Sequence, residues 1–168
     1  MKDGESAIVF PLMFGFNDLV EGRGFIAQIR TEGRATMVFE DGEWWMGGVN
    51  PGGLAASGVT EKEALAEFRN TYRLVLQDSA ALAQSFDSFS EDVKRIFAST
   101  TDELVAEWTA AALAIREGAD AGPFAHLQRK PCDKTNFGVA IRQVAVETAQ
   151  PLEQTANDEF SVPESIAA

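Results

Sequence analysis

The chain is poor in the residues that build metal sites and nucleophilic sites. Its 168 residues include one cysteine, Cys132, and one histidine, His126. A single cysteine excludes an intramolecular disulfide, and these two counts exclude zinc motifs of the CxxC and HExxH kinds. Basic residues are also scarce, with 14 Lys and Arg against 26 Asp and Glu and a formal net charge of -12. Such a surface repels nucleic-acid phosphates, and it suits either a basic partner or a protein that is merely soluble.

Long apolar runs and phosphate-binding motifs are missing as well. The apolar run at residues 7–14 is broken by Pro11, and no segment approaches the roughly 20 apolar residues of a membrane span. We therefore expect a cytoplasmic protein without a membrane anchor. The strings GxxxxGK[ST] and GxGxxG do not occur, so the glycines between residues 47 and 58 are interpreted as turn and close-packing residues. No cofactor is expected.

Turn residues and hydrophobic patterning predict an α+β fold with an antiparallel sheet of about four strands between residues 7 and 59. The strands are assigned to residues 7–14, 25–30, 35–39 and 43–49. Turns are assigned to residues 15–24 and 31–34, and Asp41-Gly42 predicts a hairpin because both residues tolerate positive φ. Trp44 and Trp45 then point to opposite faces of the second hairpin strand.

Capping signals and apolar stripes predict the helices. Thr60 and Glu63 form a capping box for a helix over residues 61–77, which is expected to pack on one face of the sheet. Ser90 and Thr100 are assigned as caps of two further helices, with Gly118 as a stop signal. Residues 137–148 are interpreted as a strand, with a helix left open.

These elements divide the chain into three expected parts. Residues 1–88 form the α+β domain, residues 89–148 a helical or mixed appendage that could mediate oligomerisation, and residues 149–168 a disordered acidic tail.

Two groups of side chains are candidates for function. Glu40, Asp41 and Glu43 surround the hairpin turn, where Asp is commonly selected for local backbone bonding, so a metal site is the weaker interpretation. If one of Trp44 and Trp45 fills the core, the other remains for a binding surface. No catalytic set emerges, because Cys132 and His126 lie in one loop without an evident orienting group.

A strand–turn–strand–helix pattern occupies residues 36–77. It consists of the Glu40-Asp41-Gly42 turn, the aromatic strand 43–49, the Pro-Gly turn 50–53 and a Gly-x-Thr-x-x-Glu-Ala run from Gly58 to Ala64. This pattern resembles the HicB family of antitoxins. The resemblance implies a truncated ribonuclease H-like domain without catalytic carboxylates, which binds and occludes HicA, a small basic mRNA interferase toxin. Members of the family often carry a DNA-binding segment, but the helices predicted over residues 90–117 are acidic, which argues against DNA binding.

The leading functional hypothesis is a non-enzymatic HicB-like protein that binds and inhibits a basic protein partner and forms homo-oligomers. Its candidate contact residues are Trp44, Trp45, Glu40, Asp41 and Glu43. One alternative is a structural or phage-type accessory protein that assembles with itself. A second alternative is a hydrolase that uses a divalent metal held by the hairpin carboxylates.

Overall fold

The computed structural model describes residues 7–130, 137–145 and 164–167. Within these residues the fold is α+β, with a seven-stranded mixed sheet and three α-helices. The strands are Val9–Gly22 (β1), Phe25–Glu40 (β2), Glu43–Asn50 (β3), Gly52–Gly58 (β4), Gln128–Lys130 (β5), Gly138–Val144 (β6) and Ser165–Ala167 (β7). The helices are Glu61–Leu82 (α1), Phe86–Ala98 (α2) and Asp102–Arg116 (α3), and a short 3-10 helix spans Gly122–Phe124.

The sheet is organised around the long hairpin of β1 and β2. Its strand order is β4-β3-β2-β1-β7-β5, and among the described strands only the β5–β7 pair is parallel. The outer edge of β2 is shared by two partners, because residues 34–40 pair with β3 and residues 26–32 pair with β6. β6, from the later part of the chain, thus pairs with β2 beyond the point where the pairing with β3 ends.

Helices pack on both faces of this sheet. Along β1 alternate side chains face α1, where the Phe14 ring centroid lies 5.2 Å from Phe68 and that of Phe16 lies 4.7 Å from Tyr72. Met13 is adjacent to Phe14 on the strand, and it packs instead against the cluster that holds Trp108 of α3. The strand period of two therefore separates an α1–α2 layer from the α3 layer.

The prediction of about four strands with one packed helix and a helical appendage was wrong. Three strands that follow α3 in the chain complete the sheet, and β6 pairs directly with β2. The helices after α1 are also part of the packed structure. Phe89 of α2 is fully buried with its ring 5.3 Å from Phe25, and the Trp108 indole of α3 donates a hydrogen bond to the Leu12 carbonyl. These contacts join parts of the chain that are distant in sequence, so local sequence patterns could not predict them.

The turns expected at residues 15–24 and 31–34 were wrong as well, since the first segment is mostly strand and the second lies entirely within β2. β1 continues to Gly22, and only Arg23-Gly24 remains as the connection to β2. Gly33 lies inside β2, where a Cβ atom would come within 2.6 Å of the Phe14 ring. This glycine allows an aromatic side chain to pack closely against the strand. In the sequence, a glycine of this kind cannot be told from a glycine that marks a turn.

Several local signals were confirmed. Asp41 and Gly42 have φ of 52° and 83°, as a tight hairpin turn requires, and Gly118 follows α3 with φ of 103°. The Thr60 hydroxyl accepts the Glu63 N–H at 3.1 Å. The Glu63 carboxylate reaches back to the N–H of residue 59 at 2.9 Å, which is one residue before the one expected.

The next two caps were misplaced. Ser85 rather than Ser90 caps α2, in a reciprocal arrangement with Ser88, and α3 begins after Thr101 rather than Thr100. Neighbouring Ser and Thr residues offer equivalent hydroxyls, and helix docking selects among them.

Part of the expected disordered tail lies outside the described residues, namely residues 149–163 and 168. Ser165–Ala167, within the described part of it, forms the buried strand β7. The strand interpreted over residues 137–148 corresponds to β6, although residues 146–148 also lie outside the described part of the chain.

Candidate protein interface at the β2–β3 hairpin

The β2–β3 hairpin projects its turn, residues 40–43, as an exposed acidic tip. Glu40, Asp41 and Glu43 are all exposed, and Glu40 is paired with Glu43 across the turn. Two acids opposite each other on an antiparallel pair repel, so the tip carries an electrostatic cost that a basic partner would remove. Among the described residues no group of three or more His, Cys, Asp or Glu side chains is arranged so that it could hold a metal ion.

Trp44 belongs to the structural side of the hairpin. It is partly buried, and its ring lies 6.2 Å from Phe10 and 5.9 Å from Phe124, the latter in an edge-on arrangement. Phe124 lies in the 3-10 helix after α3, so Trp44 joins the hairpin to the later part of the chain. This packing makes Trp44 a support for the hairpin more than a free contact residue.

Trp45 lies on the opposite face and remains 43% exposed. It is paired with Val38 of β2 and Ser57 of β4, and Val38 is paired in turn with Val9 of β1. The indole thus stands in a row of small and medium side chains across four strands. Such a row leaves one face of the indole accessible to a partner.

Phe39 is an exposed aromatic residue that the sequence interpretation missed. It is 51% exposed, and its ring lies 5.1 Å from that of Trp44, with which it is paired across the hairpin. The hairpin consequently presents one exposed aromatic ring on each face, Phe39 on the Trp44 face and Trp45 on the other. The signal was available, because counting two positions on from the buried Met37 places Phe39 at the end of that apolar row.

Of the two residues weighed as a nucleophile and its base, only His126 lies in the described part of the chain. His126 is exposed, whereas Cys132 lies outside the described residues. The loop after α3 also carries three basic residues that could touch an acidic partner or the acidic surface of the chain itself; Arg129 and Lys130 lie in β5, and Lys134 lies outside the described part.

A groove of about 690 Å³ lies at the opposite end of the sheet. It lies between the β1–β2 turn and β6. Its lining residues are Glu21, Gly22, Gly24, Phe25, Ile26, Gln143, Val144 and Ala145. Glu21 is the one ionisable side chain among them, which is too little for general acid–base chemistry between paired groups.

In the described part of the chain, two ionisable side chains away from the hairpin have perturbed pKa values. Burial raises the pKa of Tyr72 to about 12, although its hydrogen bond with Thr31 acts in the opposite direction. Burial lowers the pKa of Arg34, whose guanidinium lies 5.2 Å from the Trp108 ring and 4.9 Å from the Phe137 ring. The Arg34 Nε also donates to Asn50 at 2.8 Å. Both groups fasten helices to the sheet, and neither faces the hairpin tip.

Comparison with protein-family models, with curated proteins and with solved structures found no match to this chain. The resemblance of residues 36–77 to HicB antitoxins therefore stays a prediction from those residues. No helix in the described part of the chain is long and apolar enough to cross a membrane.

Proposed function

We propose that this chain is a non-enzymatic protein that binds a basic protein partner through the β2–β3 hairpin. The proposal rests on one observation: two exposed aromatic residues, Phe39 and Trp45, lie beside three exposed acidic residues in the same hairpin. The acidic residues are Glu40, Asp41 and Glu43. Aromatic anchors supply most of the binding energy at protein interfaces, while surrounding charges steer the encounter and select the partner. A net charge of -12 adds a long-range attraction for a basic surface.

The geometry suits a partner that grips the hairpin from both sides. Phe39 and Trp45 point to opposite faces, and the acidic turn lies at the end between them. Burial of Trp45 would remove apolar surface that the monomer leaves in water, because its ring is 43% exposed. Interface tryptophans of this kind typically contribute about 2 kcal/mol or more, which is roughly 30-fold in affinity.

A small basic mRNA interferase of the HicA type is the specific partner that we propose. The Gly58–Ala64 run and the acidic turn, which resemble HicB antitoxins, support this choice. Inhibition would then consist of covering the basic surface of the toxin. An assembly of two or more copies is part of the same proposal, since a homo-oligomer would present several hairpins to its partners.

Affinity capture with hairpin variants tests this proposal. The tagged full chain is expected to retain a basic protein from the native host, and both Trp45→Ala and Phe39→Ala are expected to weaken its binding by roughly 10- to 30-fold. Leu74→Ala is the matched control, because Leu74 is 52% exposed on α1. Unchanged thermal unfolding would show that the variants remain folded. Equal binding by all three variants would refute the assignment of the hairpin.

Charge neutralisation at the same position separates local from overall electrostatics. The triple variant Glu40→Gln, Asp41→Asn, Glu43→Gln removes three charges, and Asn suits the positive φ of residue 41. A control with Glu67→Gln, Asp78→Asn and Glu107→Gln removes the same charges from exposed helix positions. We expect a larger loss of affinity at low salt for the hairpin variant, and similar losses for both would show that only net charge matters.

If the captured protein is a ribonuclease, its activity on RNA should fall when wild-type chain is added and recover with the Trp45→Ala chain. Capture of a basic protein whose activity is unaffected would keep the binding function and remove the toxin assignment.

A further inference from the structure

Residues 164–167 insert as a short strand between two other strands. Ile166 is paired with Leu12 of β1 on one side and with Arg129 of β5 on the other. β5 has no other strand partner among the described residues, so the pair β1 and β5 is joined only through this segment. The space that it fills is a slot with a sheet edge on each side.

Side chains close this slot above and below. Ile166 is fully buried in the main core, on the side of the sheet that faces α1. Ala167 is also fully buried, but it belongs to the second cluster together with Trp108 and Ala112 of α3. The slot therefore accepts an extended segment with a large apolar residue on one face and small residues on the other.

An ion pair marks the entrance of the slot. The Glu164 Oε1 lies 2.6 Å from the Arg69 Nη2 on α1, and the same nitrogen donates to the Gly15 carbonyl at 2.8 Å. Both side chains are about a quarter exposed, and the Arg69 Nε is buried without a hydrogen-bond partner among the described residues. Glu164 thus binds a guanidinium that the sheet already holds in place.

We propose that this slot is a strand-binding site, and that residues 164–167 of a second copy of this chain can occupy it in exchange for the segment of the same chain. Backbone pairing on two edges, a pocket for one apolar side chain and a charge at the entrance are the elements by which proteins recognise an added strand. The segment contributes only three strand residues, so its release costs few hydrogen bonds. An identical segment fits the slot of the other copy by the same contacts, which gives a reciprocal, closed dimer.

The connection between β6 and the segment has the length for such an exchange. Residues 146–163 join Val144 and Ala145 to Glu164. A chain of that length can span at most about 60 Å, which exceeds the distance across a small domain. Self-repulsion between two copies of net charge -12 opposes the dimer, so we expect exchange to increase with salt concentration.

Reversal of the entrance charges in separate chains tests the exchange. Arg69→Glu alters the slot, and Glu164→Arg alters the segment, so each full-length variant alone has like charges at the entrance. When the two variants are mixed, an exchanged dimer has opposite charges at both entrances. The slot altered by Arg69→Glu receives the segment altered by Glu164→Arg, and the unaltered Arg69 slot receives the unaltered Glu164 segment. We expect the mixture to contain about threefold more dimer than either variant alone at equal total concentration, measured by light scattering after size exclusion.

The double variant, with both reversals in one chain, is the matched control. It should regain part of the thermal midpoint that each single variant loses, because the ion pair is restored although the side chain introduced by Arg69→Glu cannot donate to the Gly15 carbonyl. Its dimer fraction should equal that of the wild type. A mixture with no more dimer than its components, beside a double variant that regains part of its midpoint, would show that the segment is a permanent part of the core and overturn the exchange. A double variant that regains nothing would overturn the entrance contact itself.

Hydrogen exchange on the unaltered chain gives a second measurement that does not depend on the folding of any variant. Amides of residues 165–167 are expected to exchange about 10-fold or more faster than those in the centre of β2, because release of the segment requires only local opening. Protection equal to that of β2 would mean that the segment leaves only on global unfolding, and exchange between copies would be excluded.

Discussion

The hydrogen bond between Tyr72 and Thr31 predicts a specific loss of stability at high pH. The Tyr72 hydroxyl on α1 lies 2.9 Å from the Thr31 hydroxyl on β2, and both residues are fully buried. Burial disfavours the phenolate and raises the pKa of Tyr72 to about 12 from the ordinary value of 10.0. The folded chain therefore keeps its proton between these two pH values, while the unfolded chain loses it.

The sign of the effect follows from proton linkage. Where the folded state binds more protons than the unfolded state, the free energy of unfolding falls as pH rises. The contribution of neutral Tyr72 is fully present below pH 10 and is lost as pH rises through about 12. At the upper end of this range the expected loss is about 2 kcal/mol, since one pKa unit corresponds to about 1.4 kcal/mol and the folded form is half ionised there.

Urea unfolding of the wild type and Tyr72→Phe between about pH 8 and 12 measures this loss. At the lower pH the variant should be less stable by about 1–3 kcal/mol, because the buried Thr31 hydroxyl loses its partner. At the higher pH that difference should shrink by about 2 kcal/mol, because Phe cannot ionise. Lys and Arg titrate equally in both proteins, so the comparison isolates residue 72.

Direct titration supplies the test that would refute the reasoning. Tyr72 is the single tyrosine of the chain, so phenolate absorbance reports on this residue alone. A midpoint near the ordinary value of 10.0 in the folded protein, or a stability difference that stays constant across the titration, would contradict the buried neutral hydroxyl. The double variant Tyr72→Phe, Thr31→Val should recover much of the stability lost at neutral pH, because no unpaired hydroxyl remains.

Two further substitutions test the packing of the sheet and of α2. Gly33→Ala should destabilise the protein by about 1–3 kcal/mol, because the added Cβ would strike the Asn50 backbone carbonyl and the Phe14 ring. Gly138→Ala should change stability little, since no described atom lies within 4 Å of its Cβ position; equal effects in urea unfolding would contradict these contacts. Phe89→Ala should lower the free energy of unfolding by about 3–5 kcal/mol if α2 is part of the core. Leu82→Ala should lower it by less than about 0.5 kcal/mol, because Leu82 is 83% exposed. A similarly small effect of Phe89→Ala would show that α2 is only loosely attached.

The candidate interface could be predicted from the sequence more fully than the rest of the sheet. Asp41-Gly42 marks the turn through its backbone preference, and strand alternation separates Trp44 from Trp45. Which tryptophan remains exposed depends on Phe10 and Phe124, which are distant in sequence and meet only in the folded chain. Periodicity alone could not choose between the two.

Errors in the fold prediction arose where one residue type serves two purposes. Gly15 and Gly33 lie within strands, although their neighbours resemble turn residues. Gly33 is needed because Phe14 packs against its backbone, and this contact is known only when β1 and β2 are aligned. The pairings of β5, β6 and β7 are equally non-local, and the shortest of these strands carry too little pattern to be detected.

Local sequence is enough to specify three features of this protein, namely the acidic hairpin turn, the Thr60 cap and the stop at Gly118. These features depend on backbone preferences and on hydrogen bonds within a few residues, so they are present in any context that keeps the chain folded. Three other features emerge only when the chain is folded: Phe39 and Trp45 remain exposed, α2 and α3 cover opposite faces, and residues 164–167 enter the sheet. Those outcomes depend on the burial of apolar side chains that are distant in sequence, which is a property of the assembled core.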